Sequence, residues 1–171
     1  MLRDVFFPFS IVVFFSCNSS TVGQNISSRA NVDSAKYDSL NLVERANYFY
    51  ENKIYAKAKF SYDTLISIDS TKGEYYFKRG YCKSMIPDSK GAVIDYLLSI
   101  EHNYDKKYKA YLNIGVLHRG NAVFYSTSQN KSIAEYDTAL YFFNECLKIA
   151  PNNVKAIKER DEVIGILKEL K

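Results

Sequence analysis

Few residues in this chain could do chemistry, and they are scattered. The two histidines, His102 and His118, would be the natural general acids, bases or metal ligands, yet they lie far apart and outside any ligand or base–nucleophile motif. Cys82 and Cys146 occupy positions that favour small side chains and read as buried thiols, with no bridge expected between them. Glu159 and Asp161 look like the charged face of a helix and not like a paired-acid site. No Gly-rich phosphate loop or nucleophile elbow is present, and glycine (7) and proline (3) are too scarce for a turn-rich β architecture. The expectation is therefore no enzyme, no cofactor, no metal and no small-molecule substrate.

Composition narrows the class further. The chain has 171 residues, enough for one domain with a real core, and 47% of them are hydrophobic. It holds 15 tyrosines, 11 phenylalanines and no tryptophan. A formal charge of +4, with Lys and Arg interleaved among Asp and Glu, lacks the concentrated basic face that nucleic acid requires.

Val5 to Phe15 reads VFFPFSIVVFF behind Arg3, too short to span a bilayer but suited to the apolar core of a signal peptide. Ser16-Cys17 follows, then Asn18-Ser19-Ser20. This arrangement resembles the lipobox of bacterial lipoproteins, which implies acylation of Cys17 and a lipid-anchored place in the bacterial cell envelope. Phe14 and Phe15 stand where that family usually has Leu and a small residue, and Asp4 offsets Arg3. A cleaved secretion signal or a retained anchor are the other readings of this segment. Residues 1–16 are thus assigned as signal peptide and 17–37 as a tether, since the run up to Ala35 is rich in Ser and Asn with no apolar period.

From residue 38 the apolar spacing is helical, and one series recurs. Ala46, Ala58 and Tyr62 return 34 residues later as Gly80, Ala92 and Tyr96, and again as Gly115, Ala139 and Phe143. Leu42, Tyr76 and Tyr111 precede them, and the third unit ends in Leu-Lys-Ile-Ala-Pro-Asn-Asn at Leu147–Asn153. The pattern resembles the tetratricopeptide-repeat (TPR) family. The fold it implies is all-α: a right-handed solenoid of about three helix pairs with a C-terminal capping helix. The units are assigned to 39–72, 73–106 and 107–153, and the capping helix to 153–171 with Val154, Ile157, Ile164 and Leu167 as its apolar stripe.

Small residues at these positions let the two helix axes of a pair approach, and Phe49, Tyr55, Tyr62, Tyr96, Tyr136 and Phe143 fill the space around each contact. Two departures are plain. Ser70 and Tyr104 stand where the family closes a unit with proline, and Gly115 and Ala139 lie 24 apart instead of 12. The insertion, 120–131, is expected to lengthen both helices, with Ser126 to Lys131 as the tip.

In the family the first helix of each pair lines a concave face. By register the inward candidates here are Val43, Asn47 and Tyr50; Phe77, Tyr81 and Ser84; and Leu112, Val116 and Arg119. Together they suggest a groove for a peptide or helix of a partner protein, with the membrane engaged only through the lipid anchor. Some relatives hold a peptide's terminal carboxylate in a clamp of basic and Asn residues. Asn47 and Lys109 match two clamp positions, whereas Val43, Lys78 and Asn113 stand where Lys, Asn and Arg would be. Lys78 and Lys109 are expected to face solvent, and His118, at a site where the family prefers an aromatic, to pack in the core.

Overall fold

The computed structural model describes residues 41–171, which form seven helices and no strand. Helices α1 (Leu42–Glu51) and α2 (Tyr55–Ile68), α3 (Gly73–Met85) and α4 (Ser89–Glu101), and α5 (Lys107–Phe124) and α6 (Gln129–Ile149) form three hairpins, and α7 (Val154–Leu170) closes the stack. Each helix packs on its neighbours in sequence, and α7 also touches α5. This is the helical-repeat solenoid that the spacing of small residues predicts. None of these helices is long and apolar enough to cross a membrane. Cys17, the signal segment and the tether lie outside the described residues.

Local chemistry sets the helix ends. Asn41 caps α1 reciprocally, its side chain accepting from Glu44 N at 3.0 Å while its own N–H donates to Glu44 Oε2 at 3.1 Å. Asp88 and Asn153 cap α4 and α7 by accepting from Gly91 N and Ala156 N. At the other ends, Lys53 and Asn103 adopt left-handed backbone (φ 61° and 56°). Ile54 N then reaches Phe49 O at 2.8 Å and Tyr104 N reaches Ser99 O at 2.9 Å, so two otherwise orphaned carbonyls are satisfied.

The helices meet at the small residues. Ala46, Ala58, Ala92 and Ala139 are fully buried. A Cβ on Gly115 would fall 2.5 Å from the Phe143 ring, so only glycine permits α5 and α6 to lie this close. Around these contacts Phe49, Tyr62, Tyr96, Tyr136 and Phe143 are buried, while Tyr55 is half-buried. Tyr104, in the place of a proline, is buried and stacks on Phe77 at 4.6 Å.

The third hairpin is extended at one end only. Helices α1 and α3 stop at Glu51 and Met85, soon after Ala46 and Gly80, but α5 continues from Gly115 to Phe124. Likewise α2 and α4 begin just before Ala58 and Ala92, whereas α6 begins at Gln129, well before Ala139. The connecting turn is Tyr125–Ser128, shorter than the polar run suggests, because α6 starts at Gln129 within that run.

A buried charge network joins the first two hairpins. Asp95, fully buried, accepts from Arg79 Nε (2.8 Å) and Nη2 (2.6 Å) and pairs with Lys83 Nζ (2.9 Å). Arg79 Nη1 reaches across to Asp63 on α2 at 2.9 Å.

Candidate functional site

The first helices of the three hairpins and the start of α7 enclose a cavity of about 460 Å³. Tyr50 from α1, Phe77 and Tyr81 from α3, and Leu112 with Lys109 and Asn113 from α5 line it, with Asn153 and Lys155 closing one end. A second cavity of about 270 Å³ shares Tyr81, Asn113 and Lys155 and continues past Ser84 and Val116. The two make one groove, and no carboxylate lines either part.

The groove wall is built from tyrosines. Tyr50 lies 5.4 Å from Tyr81 and meets Tyr62 edge-on at 6.3 Å, and Tyr55 meets Tyr81 at 6.0 Å. Burial pushes the phenols of Tyr50 and Tyr81 above their ordinary value, so both are neutral hydroxyls at physiological pH. Each offers an apolar ring face and one donor-acceptor group, while Lys109 and Lys155 add positive charge at the mouth. The arrangement can hold an extended peptide by ring contact and single hydrogen bonds, with a preference for anionic groups.

The candidates named from sequence divide into three groups. Tyr50, Phe77, Tyr81, Leu112, Ser84 and Val116 line the groove, although Phe77 and Leu112 are also buried in the core. Val43 and Asn47 line neither part. Asn47 Oδ1 accepts from Tyr62 OH at 2.9 Å and Lys78 Nζ at 2.8 Å, so half of the partial clamp is closed on itself. Arg119 turns to α7, with Nε 2.8 Å from Glu159 Oε2 and Nη1 3.4 Å from Glu162 Oε2. The Nε contact meets ion-pair distance without hydrogen-bond alignment, so charge and not directed bonding holds it.

Two expectations need correction. Lys78 is half-buried instead of solvent-facing: its amine lies 5.8 Å over Tyr50 and pairs with Glu74 at 2.7 Å. His118 packs flat on Phe142 (5.8 Å, 9°) but keeps a polar edge, Nδ1 lying 2.7 Å from Glu135 Oε2. That carboxylate sits across the hairpin on α6, where sequence spacing could not reveal it. Sequence reasoning also misses Tyr108, which lines the larger cavity from α5, as well as Asn153 and Lys155, which enter it from an α7 whose spacing marks it only as a cap. Among the described residues no cluster of His, Cys, Asp and Glu could hold a metal ion, and Cys82 and Cys146 are free and buried.

No protein-family model and no curated protein sequence matches the chain. Solved structures do. The first TPR of Spaghetti (RPAP3) bound to an HSP90 peptide, SRMEEVD, superposes with a TM-score of 0.61 at 19% identity, covering 74% of this chain and 90% of that one. The MamA protein gives 0.62 at 18% identity, covering 82% and 70%. The Sgt2 TPR domain of Aspergillus fumigatus gives 0.58 at 18% identity, covering 78% and 80%. The fold is that of a TPR solenoid. The groove lies on the face formed by the first helix of each pair, and the start of α7 adds to its lining.

Proposed function

We propose that this protein is a TPR adaptor tethered to a membrane of the bacterial cell envelope through acylated Cys17. It holds a peptide segment of a partner protein in the concave groove. The observation that carries this reading is the continuous groove lined by Tyr50, Tyr81, Asn113, Lys109 and Lys155 without a carboxylate. Similarity to a TPR domain solved with a peptide ending in acidic residues supports it. Lys109 and Lys155 are exposed, so reversing both charges (Lys109→Glu with Lys155→Glu) leaves the core untouched. The double variant should lose partner proteins that co-purify from cross-linked membranes while keeping its helical signal. Unchanged recovery of those partners would rule out the groove.

A second reading, a structural subunit of a cell-envelope assembly that uses the convex face or the insertion 120–131, is favoured by one feature of the face opposite the groove. Phe60, Ile94 and Tyr141 occupy the same register position on α2, α4 and α6, and all three are more than half exposed. A stripe of this kind suits a lateral contact. Partner loss on Phe60→Ser with Ile94→Ser, but not on charge reversal in the groove, would favour it.

A further inference from the structure

The hairpin end of α5 and α6 presents apolar side chains that the described fold leaves uncovered. Val123 and Phe124 are 62% and 80% exposed. Phe124 meets Tyr125 edge-on at 5.5 Å, and Lys131 Nζ lies 5.8 Å over the Tyr125 ring. Beneath them the hairpin is firm: Ala122 and Ser132 are buried, and Ser132 Oγ donates to the Ala122 carbonyl at 3.0 Å. The exposed rings therefore stand on an ordered base, and no stacking contact of the solenoid calls for them.

We infer that this tip is a membrane-docking element that sets Val123, Phe124 and Tyr125 into the headgroup region of a bilayer. The inference builds on the tethered reading above. Three observations select a lipid surface over a protein partner. The tip is made of contiguous apolar and aromatic residues beside Ser126, Thr127 and Ser128, a composition suited to the boundary between water and acyl chains. From Gly120 to Ala134 there is no carboxylate, while Lys131 is present, so the segment that forms the tip attracts anionic lipid. The next acids are engaged, Glu135 with His118 and Asp137 with Lys171.

Dimensions agree as well. Measured from Gly115 and Ala139, the third hairpin outruns the other two by several residues per helix. At about 1.5 Å per residue this is roughly 6–10 Å, close to the depth at which interfacial apolar side chains reside. Anchoring at Cys17 turns docking into an intramolecular event, for which a small contact suffices.

The chain has no tryptophan, so Phe124→Trp places a single reporter at the tip. The full chain carrying this change is coupled through Cys17 to a maleimide lipid in vesicles of phosphatidylcholine with a minor fraction of phosphatidylglycerol. Cys82 and Cys146, both buried, stay out of the coupling. Emission from the reporter at the tip should move to the blue and be quenched by lipids brominated high on the acyl chain. A matched Phe60→Trp protein, with its reporter on α2, should stay unshifted and unquenched. A tip reporter that stays unquenched on coupled vesicles overturns the inference. So does a blue shift that grows with protein concentration and needs no vesicle, since the tip would then contact protein. Coupling supplies the tether chemically, so absence of native acylation would defeat the anchor reading and leave this result standing.

Discussion

Arg79 holds Asp95 with two guanidinium nitrogens, Nε 2.8 Å from Oδ2 and Nη2 2.6 Å from Oδ1. Asp95 is fully buried, and the third nitrogen of Arg79 reaches Asp63 on the preceding hairpin. Removing Arg79 leaves the Asp95 carboxylate buried with Lys83 as its remaining cation. Arg79→Ala should therefore destabilise the domain by about 3 kcal/mol, in the range for breaking a buried pair from one side. Lys83→Ala, which leaves the bidentate pair intact, should cost about 1 kcal/mol. Equilibrium urea unfolding followed by helical circular dichroism measures both, and equal losses would contradict this division.

Gly115 and Gly120 share α5 but face opposite surroundings. A Cβ at Gly115 would strike the buried Phe143 ring, which has nowhere to go, whereas one at Gly120 meets nothing within 4 Å. Gly115→Ala should cost about 1–3 kcal/mol through overpacking. Gly120→Ala should stabilise by roughly 0.5–1 kcal/mol, because alanine is the better helix former. Thermal melts of the two variants should move in opposite directions.

The buried thiols and phenols predict an alkaline limit. Burial raises Cys82 from an ordinary 9.0 to about 12 and Cys146 to about 11, and it raises Tyr96 and Tyr104 from 10.0 to about 12. Groups whose folded pKa is raised contribute stability below their unfolded value and lose it as pH climbs towards the folded one. Melting temperature should thus be level through neutral pH and fall from about pH 9 upward, as the unfolded thiols begin to ionise. In the same range the native thiols should resist iodoacetamide until the chain unfolds. Prompt labelling of Cys82 in the folded protein would contradict the burial argument.

Much of the fold was legible in the sequence because close helix contact imposes a rule on residue size. Ala46, Gly80 and Gly115 are small because a neighbouring helix lies against them, and that constraint survives in one-dimensional spacing. The site was less legible. Tyr50, Tyr81 and Leu112 followed from the same register, but Lys155 and Asn153 reach the groove from α7, which carries no repeat signal. Arg119 sat in the right register and was claimed by Glu159, an attraction between helices that spacing does not encode. The Arg79–Asp95–Asp63 network was invisible for the same reason, since it joins three helices through charges that resemble surface residues.

Charge at the groove mouth should govern partner capture more than ring contact does. Lys109→Glu with Lys155→Glu should weaken capture at least tenfold and invert its salt dependence, the residual capture strengthening as salt screens the repulsion, whereas the wild type should weaken as salt rises. Titration of a captured peptide at two ionic strengths reads this directly. Equal salt dependence in both proteins would place the charges outside the interface.

The most direct test of the groove is where the protein touches its partner in intact cells. A photocrosslinking phenylalanine analogue at Tyr81, in the middle of the groove, is compared with the same analogue at Ile94, on the opposite face. The account predicts a discrete adduct from position 81 that disappears when Lys109 and Lys155 are reversed, and none from position 94. Adducts from position 94 alone would contradict it.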